Sequence, residues 1–154
     1  MATLYDQARP GHPERLFDDL ASLSGTEPGA KVLEIGCGTA QATVPLARRG
    51  YHVLCVELGD NLATIARGKL AECPQEAWVL ASPFEDWPLE EETFELVVSA
   101  TAFHWVDPAI RYRKSAQALR PAGSLALIWN RPYPQGSSEG FPEALETMCS
   151  GATP

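Results

Sequence analysis

Paired cysteines, long apolar runs and an excess of basic charge are all missing from this 154-residue chain. Its four cysteines, Cys37, Cys55, Cys73 and Cys149, form no C-x-x-C pair, and its three histidines are scattered, so no zinc-ligand spacing exists and no metal is expected. Cys37 falls inside a glycine-containing turn and Cys55 inside an apolar run, which suits small packing residues in a reducing compartment. No apolar stretch approaches the roughly 20 residues of a membrane helix, and residues 1–10 lack the basic-then-apolar layout of a secretory leader. A cytoplasmic location and no membrane partner are therefore expected. Acidic residues outnumber basic ones 20 to 12, for a net charge of −8. A surface of that sign repels phosphate backbones, so nucleic acid is not an expected partner. The densest basic group, Arg111, Arg113, Lys114 and Arg120, reads as the solvated face of one predicted helix.

What is present is an ordinary globular balance, 45% hydrophobic and 21% charged, at a length suited to one domain. Residues 31–36 form a short apolar run ending in glycine, a buried strand. Residues 39–49 carry a helical pattern stopped by Gly50; Pro45 inside it predicts a kink or a late start. Residues 51–56 make a second strand, Asp60 caps a helix over 61–72 that Pro74 ends, and residues 77–81 and 94–100 make strands three and four. Asp107-Pro108 opens a helix running to Leu119, residues 120–123 break it, and residues 124–129 form a fifth strand. Strands alternating with helices across short links predict an α/β fold: a doubly wound, mostly parallel five-stranded sheet. Prolines, glycines and serines after Arg131 mark a tail over 131–154 with a short helix over 141–149, leaving residues 1–130 as the domain.

The informative stretch is Val32-Leu33-Glu34-Ile35-Gly36-Cys37-Gly38-Thr39-Ala40. A buried strand runs into a glycine turn and then a helix, at the carboxyl edge of the sheet where α/β proteins bind ligands. The dinucleotide fingerprint G-x-G-x-x-G would need glycine at position 41, where this chain has Gln41. An acid two places before the first glycine, Glu34, fits a second kind of cofactor turn, one without a phosphate. Glu57 ends the second strand about twenty residues on, where an acid can accept hydrogen bonds from both hydroxyls of a ribose. A plain tight turn and a solvated strand-end glutamate are the alternatives for these two features.

Glu34-Ile35-Gly36-Cys37-Gly38-Thr39-Ala40 resembles the E/D-x-G-x-G-x-G motif of class I S-adenosylmethionine-dependent methyltransferases, with Ala40 in place of the last glycine. The resemblance continues through Glu57, Phe84-Glu85-Asp86-Trp87, Phe94-Glu95-Leu96-Val97, Phe103-His104-Trp105 and Leu119-Arg120-Pro121-Ala122-Gly123. His104-Trp105, with Tyr5 and Arg9-Pro10-Gly11-His12-Pro13, looks like the small-molecule branch that includes trans-aconitate methyltransferases. The resemblance implies a Rossmann-like methyltransferase fold that binds S-adenosyl-L-methionine and methylates a small molecule. It implies that Gly36, Cys37 and Gly38, preceded by Glu34, follow the methionine portion and the ribose. Glu57 would hold the ribose hydroxyls, Leu58 and Phe84 the adenine, and Ala100 and Thr101 would flank the sulfonium. Phe103, His104 and Trp105 would face the methyl-transfer pocket, with Tyr5 and Arg9 on an N-terminal segment folded over it.

His104 is the candidate base for a hydroxyl or amine acceptor; a carboxylate acceptor needs none, and the histidine then orients substrate. The family's sheet adds two strands after the fifth. None is predicted here, so the expectation is a C-terminally truncated form lacking the last strands. Its open strand edge invites a homodimer. A cofactor-binding or scaffolding domain without catalysis is the alternative function, and an NAD(P)-dependent oxidoreductase is a third, disfavoured by Gln41 and by the lack of a Tyr-x-x-x-Lys pattern.

Overall fold

Parallel strands buried on both faces need apolar residues at every position rather than alternation, and the middle of this chain supplies them. The computed structural model describes residues 11–73 and 76–130; Tyr5, Arg9, Pro74 and the expected tail over 131–154 lie outside the described residues. Five strands, β1 (Lys31–Ile35), β2 (His52–Glu57), β3 (Ala77–Ala81), β4 (Phe94–Ala100) and β5 (Leu119–Ile128), form one parallel sheet in the order β3-β2-β1-β4-β5. Strand order reverses beside β1, which opens a crevice at the carboxyl ends of β1 and β4.

Helices α1 (Glu14–Ser24), α2 (Thr43–Arg48), α3 (Asp60–Leu70) and α4 (Arg111–Ala118) complete the domain. The sheet divides two cores. Val32, Val53, Cys55, Leu96 and Val98 pack with Phe17 and Leu20 of α1, Leu46 of α2, and Ala66 and Leu70 of α3. On the other face Leu33, Ile35, Val56 and Val97 pack with Phe84, Trp87, Phe103, Val106 and Ala118 of α4.

Four local expectations are revised. α2 begins at Thr43 rather than 39, which sets Pro45 in the first helical turn, where its missing N–H has no intrahelical acceptor to lose. Asp60 is the first residue of α3, whose N-cap is Gly59. Residues 107–110 form a turn, with the Ala109 amide donating to Asp107 Oδ1 at 2.8 Å, before α4 starts at Arg111. β5 begins at Leu119, opposite Phe94; the register then jumps to Leu96 opposite Ser124, so residues 120–123 form an irregularity within the strand rather than a break before it.

α1 has no counterpart among the sequence expectations. It presents only Phe17 and Leu20 to the core, while Arg49 reaches back to Glu14 (2.6 Å) and Asp18 (3.1 Å) and lies 5.0 Å from the centre of the Phe17 ring. That pairing spans more than thirty residues, beyond the reach of local pattern.

Candidate cofactor-binding site

The turn after β1 is built to bring backbone close to whatever fills the crevice. Gly36 (φ +71°), Gly38 (φ +58°) and Ala40 (φ +69°) all sit in the left-handed region. Glycine occupies it freely and alanine at a cost of about 1–2 kcal/mol, so Ala40, at the position where the motif carries its third glycine, is a strained residue. A Cβ on Gly36 would collide with the Cβ of Ala102, which follows β4. The close approach of the β1 and β4 ends depends on that missing atom.

Glu57, the last residue of β2, anchors the turn. Its side chain lies in the crevice with only 6% of the residue exposed. Oε2 accepts from the Gly38 amide at 2.8 Å and Oε1 from the Gly59 amide at 2.9 Å. One carboxylate thus ties the β1–α2 turn to the start of α3. Each of its oxygens keeps a further lone pair for a hydroxyl donor.

A cavity of about 220 Å³ opens beside this carboxylate. It is lined by Gly36 and Gly38 of the turn, by Leu58 and Leu62, by Pro83, Phe84 and Glu85 after β3, and by Thr101, Ala102, Trp105 and Val106 after β4. Of the residues expected at a site, Gly36, Gly38, Glu57, Leu58, Phe84, Thr101 and Trp105 meet here. Trp105 belongs to a 3-10 turn, Phe103–Trp105, and is 80% exposed. Thr101 has φ +59°, a strained conformation for a β-branched residue, and its buried Oγ1 has no hydrogen-bond partner among the described residues.

The remaining described residues sit elsewhere. Cys37, Ala100 and Phe103 are buried in the two cores and do not line the cavity. His104 is exposed, its ring 5.0 Å from that of Trp105, and it does not line the cavity. Glu34 shares the strand parity of Val32 and therefore faces α2 rather than the ligand crevice. Thr43 Oγ1 of α2 donates to Glu34 Oε2 at 2.7 Å, and the Cys55 thiol lies 3.9 Å from the same oxygen.

Burial pushes the Glu34 carboxyl from its ordinary value near 4.5 up to about 7, with the Glu57 charge adding to the effect and the Thr43 hydroxyl opposing it. Because the folded value is the higher one, the native state holds the extra proton between pH 4.5 and 7. The cost of ionising this buried group is absent below that window, grows across it, and is complete above pH 7. It amounts to about 3 kcal/mol. Glu34→Gln keeps an acceptor for Thr43 without the charge. The variant is expected to unfold at a higher temperature than wild type at pH 8, with the gap closing toward pH 5. Parallel melting curves across that range would disprove the assignment.

Leu62, Pro83, Glu85, Ala102 and Val106 also line the cavity, though the sequence assigned them no site role. One carried a signal: Glu85 adjoins Phe84 in the matched Phe84-Glu85-Asp86-Trp87 segment. Among the described residues no group of three His, Cys, Asp or Glu side chains is arranged to hold a metal ion, and no helix is long and apolar enough to cross a membrane.

A parallel sheet with this strand order, a glycine turn after β1 and an acid ending β2 define a doubly wound α/β domain with a candidate cofactor crevice at its strand ends. The chain belongs to the methyltransferase domain family, whose model matches residues 33–127. An uncharacterized methyltransferase of Mycobacterium tuberculosis is 34% identical over 126 residues, which are 82% of this chain and 49% of that protein. A malonyl acyl-carrier-protein O-methyltransferase of Geobacter sulfurreducens is 34% identical over 98 residues, 60% of this chain and 36% of its own length. The chain spans about half the length of the curated relatives it matches. In fold, it superposes on a SAM-dependent methyltransferase from Aquifex aeolicus with a TM-score of 0.69 at 18% identity, covering 98% of this chain and 88% of that one.

Proposed function

We propose that the domain binds S-adenosyl-L-methionine in the cavity beside Glu57 and transfers its methyl group to a small molecule. The observation that carries this reading is the Glu57 carboxylate, held by two backbone amides yet retaining acceptor capacity at the cavity edge. A vicinal diol suits such a group, since each hydroxyl can donate to one oxygen. Leu58, Leu62 and Phe84 offer apolar surface for a purine, and the glycine turn offers room for an amino-acid portion to lie along the backbone.

When bound, the cofactor supplies an electrophilic methyl on a cationic sulfur. The protein's own contribution is positioning: Gly36, Thr101 and Ala102 bound the end of the cavity where an acceptor must approach in line. Trp105 provides an apolar wall there. His104, exposed and off that wall, suits orientation of the acceptor better than proton abstraction. The resemblance of Phe103-His104-Trp105 to the trans-aconitate methyltransferase branch supports a small-molecule acceptor.

Titration calorimetry with S-adenosylhomocysteine tests the cofactor, and transfer of labelled methyl to a panel of carboxylic acids, phenols and amines tests the reaction. Micromolar binding and label in one acceptor class are expected. Silence in the titration at millimolar ligand would overturn the proposal, and binding without transfer to any acceptor would favour a non-catalytic domain.

A further inference from the structure

The wall of the cavity that carries Phe84 has no regular secondary structure of its own. Residues 82–93 connect β3 to β4 without a helix among them. A loop of that kind positions a ligand only if something holds its backbone, because unpaired carbonyls otherwise turn to water. Here the holding group comes from the next layer. Lys114 Nζ, on α4, donates to the carbonyl oxygens of Glu85 at 2.8 Å and Trp87 at 2.5 Å. The same ammonium lies 5.4 Å from the centre of the Phe84 ring and 5.6 Å from that of Trp87. Those two rings stack on each other, 5.9 Å apart and 16° from parallel. A second tie, from the Asp107 amide to Glu85 Oε1 at 2.8 Å, fastens the loop to the turn before α4.

We propose that Lys114 is a positioning residue for the cofactor pocket, fixing the Phe84–Glu85 wall from behind through the two loop carbonyls and the paired rings. This inference rests on the reading of the cavity as the S-adenosylmethionine site. Lys114 does not line the cavity; Phe84 and Glu85 do. One cation satisfies the carbonyls of Glu85 and Trp87 while lying 5.4 Å and 5.6 Å from the Phe84 and Trp87 ring centres, so the loop backbone and the two stacked rings share a single holding group. Desolvation in this setting pulls the ammonium below the usual lysine value, opposed by the charges of Asp86 and Glu85. The site therefore depends on a residue from the helix after the 3-10 turn, so the two sides of the cavity are coupled through α4.

The experiment compares Lys114→Met, Lys114→Gln and Lys114→Arg with wild type by calorimetry with S-adenosylhomocysteine, alongside thermal melts. Lys114→Met keeps the stem over the rings but removes every donor, and is expected to weaken binding roughly tenfold or more at a temperature where it is fully folded. Lys114→Arg, with a cation and donors, is expected to recover most of the affinity. Lys114→Gln, with a neutral donor, should fall between, and it carries the test if the methionine variant does not fold. A purely structural lysine would lower the melting temperature without changing affinity in the folded protein. Affinities within twofold of wild type for folded Met and Gln variants would overturn the inference and leave the cofactor reading intact. Absence of binding by wild type itself would overturn both.

Discussion

Glu57→Ala is expected to weaken S-adenosylhomocysteine binding at least a hundredfold. The carboxylate accepts from the Gly38 and Gly59 amides, and in the proposed complex it also accepts from the two ribose hydroxyls. Hydrogen bonds to a charged group contribute about 1.5–3 kcal/mol each, so losing the two ligand bonds alone removes about two decades or more of affinity. Removing the acceptor also frees the glycine turn from the start of α3. Glu57→Gln is the sharper test, because the amide has the right size but only one accepting atom. Its NH₂ must face either Gly38 or Gly59, setting donor against donor. Both variants should melt below wild type and both should fail in calorimetry. A glutamine variant that binds within threefold of wild type would show that the charge at 57 is not what grips the ligand.

The second large effect is expected at Gly36. Gly36→Ala places an L side chain at φ +71° and drives its Cβ into that of Ala102. The left-handed backbone costs about 1–2 kcal/mol, and overpacking between two strand ends about 1–3 kcal/mol more. A loss of about 2–5 kcal/mol is a large share of a domain's total stability. Urea denaturation measures it directly. Combining Gly36→Ala with Ala102→Gly removes the collision but leaves the backbone strain, so the double variant should regain only the packing part. An interaction of about 1–3 kcal/mol between the two positions is the signature. A single variant within 1 kcal/mol of wild type would mean that β1 and β4 can part at the site without cost.

The strongest control on the Glu34 prediction comes from the same neighbourhood. Glu34 and Glu57 belong to adjacent strands and flank one turn, yet their surroundings differ. Glu57 meets two amide donors at the cavity; Glu34 meets a hydroxyl and a thiol inside the core. The Glu34→Gln exchange should therefore stabilise at pH 8, whereas Glu57→Gln should destabilise and abolish binding. Opposite outcomes from the same chemical change would separate the two carboxylates cleanly.

The alternation of apolar runs and helical patterns was enough to find all five strands. Ala77–Ala81 and Phe94–Ala100 have the boundaries that the apolar runs predict. The glycine turn and the acid ending β2 were legible because each is a short local feature: positive φ calls for glycine at 36 and 38, and an acid stands at the strand end at 57, where its side chain meets two backbone amides. What the sequence could not settle was which way Glu34 faces. A strand buried on both sides has no polar face to mark the outside, and only the packing of α2 against β1 turns that carboxyl toward Thr43. Nor could it reveal that Arg49 holds α1 or that Lys114 holds the loop behind Phe84, since those contacts join residues roughly 30 positions apart. Local periodicity determined the sheet and the turn; the tertiary structure decided which carboxylate borders the cavity and what holds the loop beside it, because both depend on which layers come together.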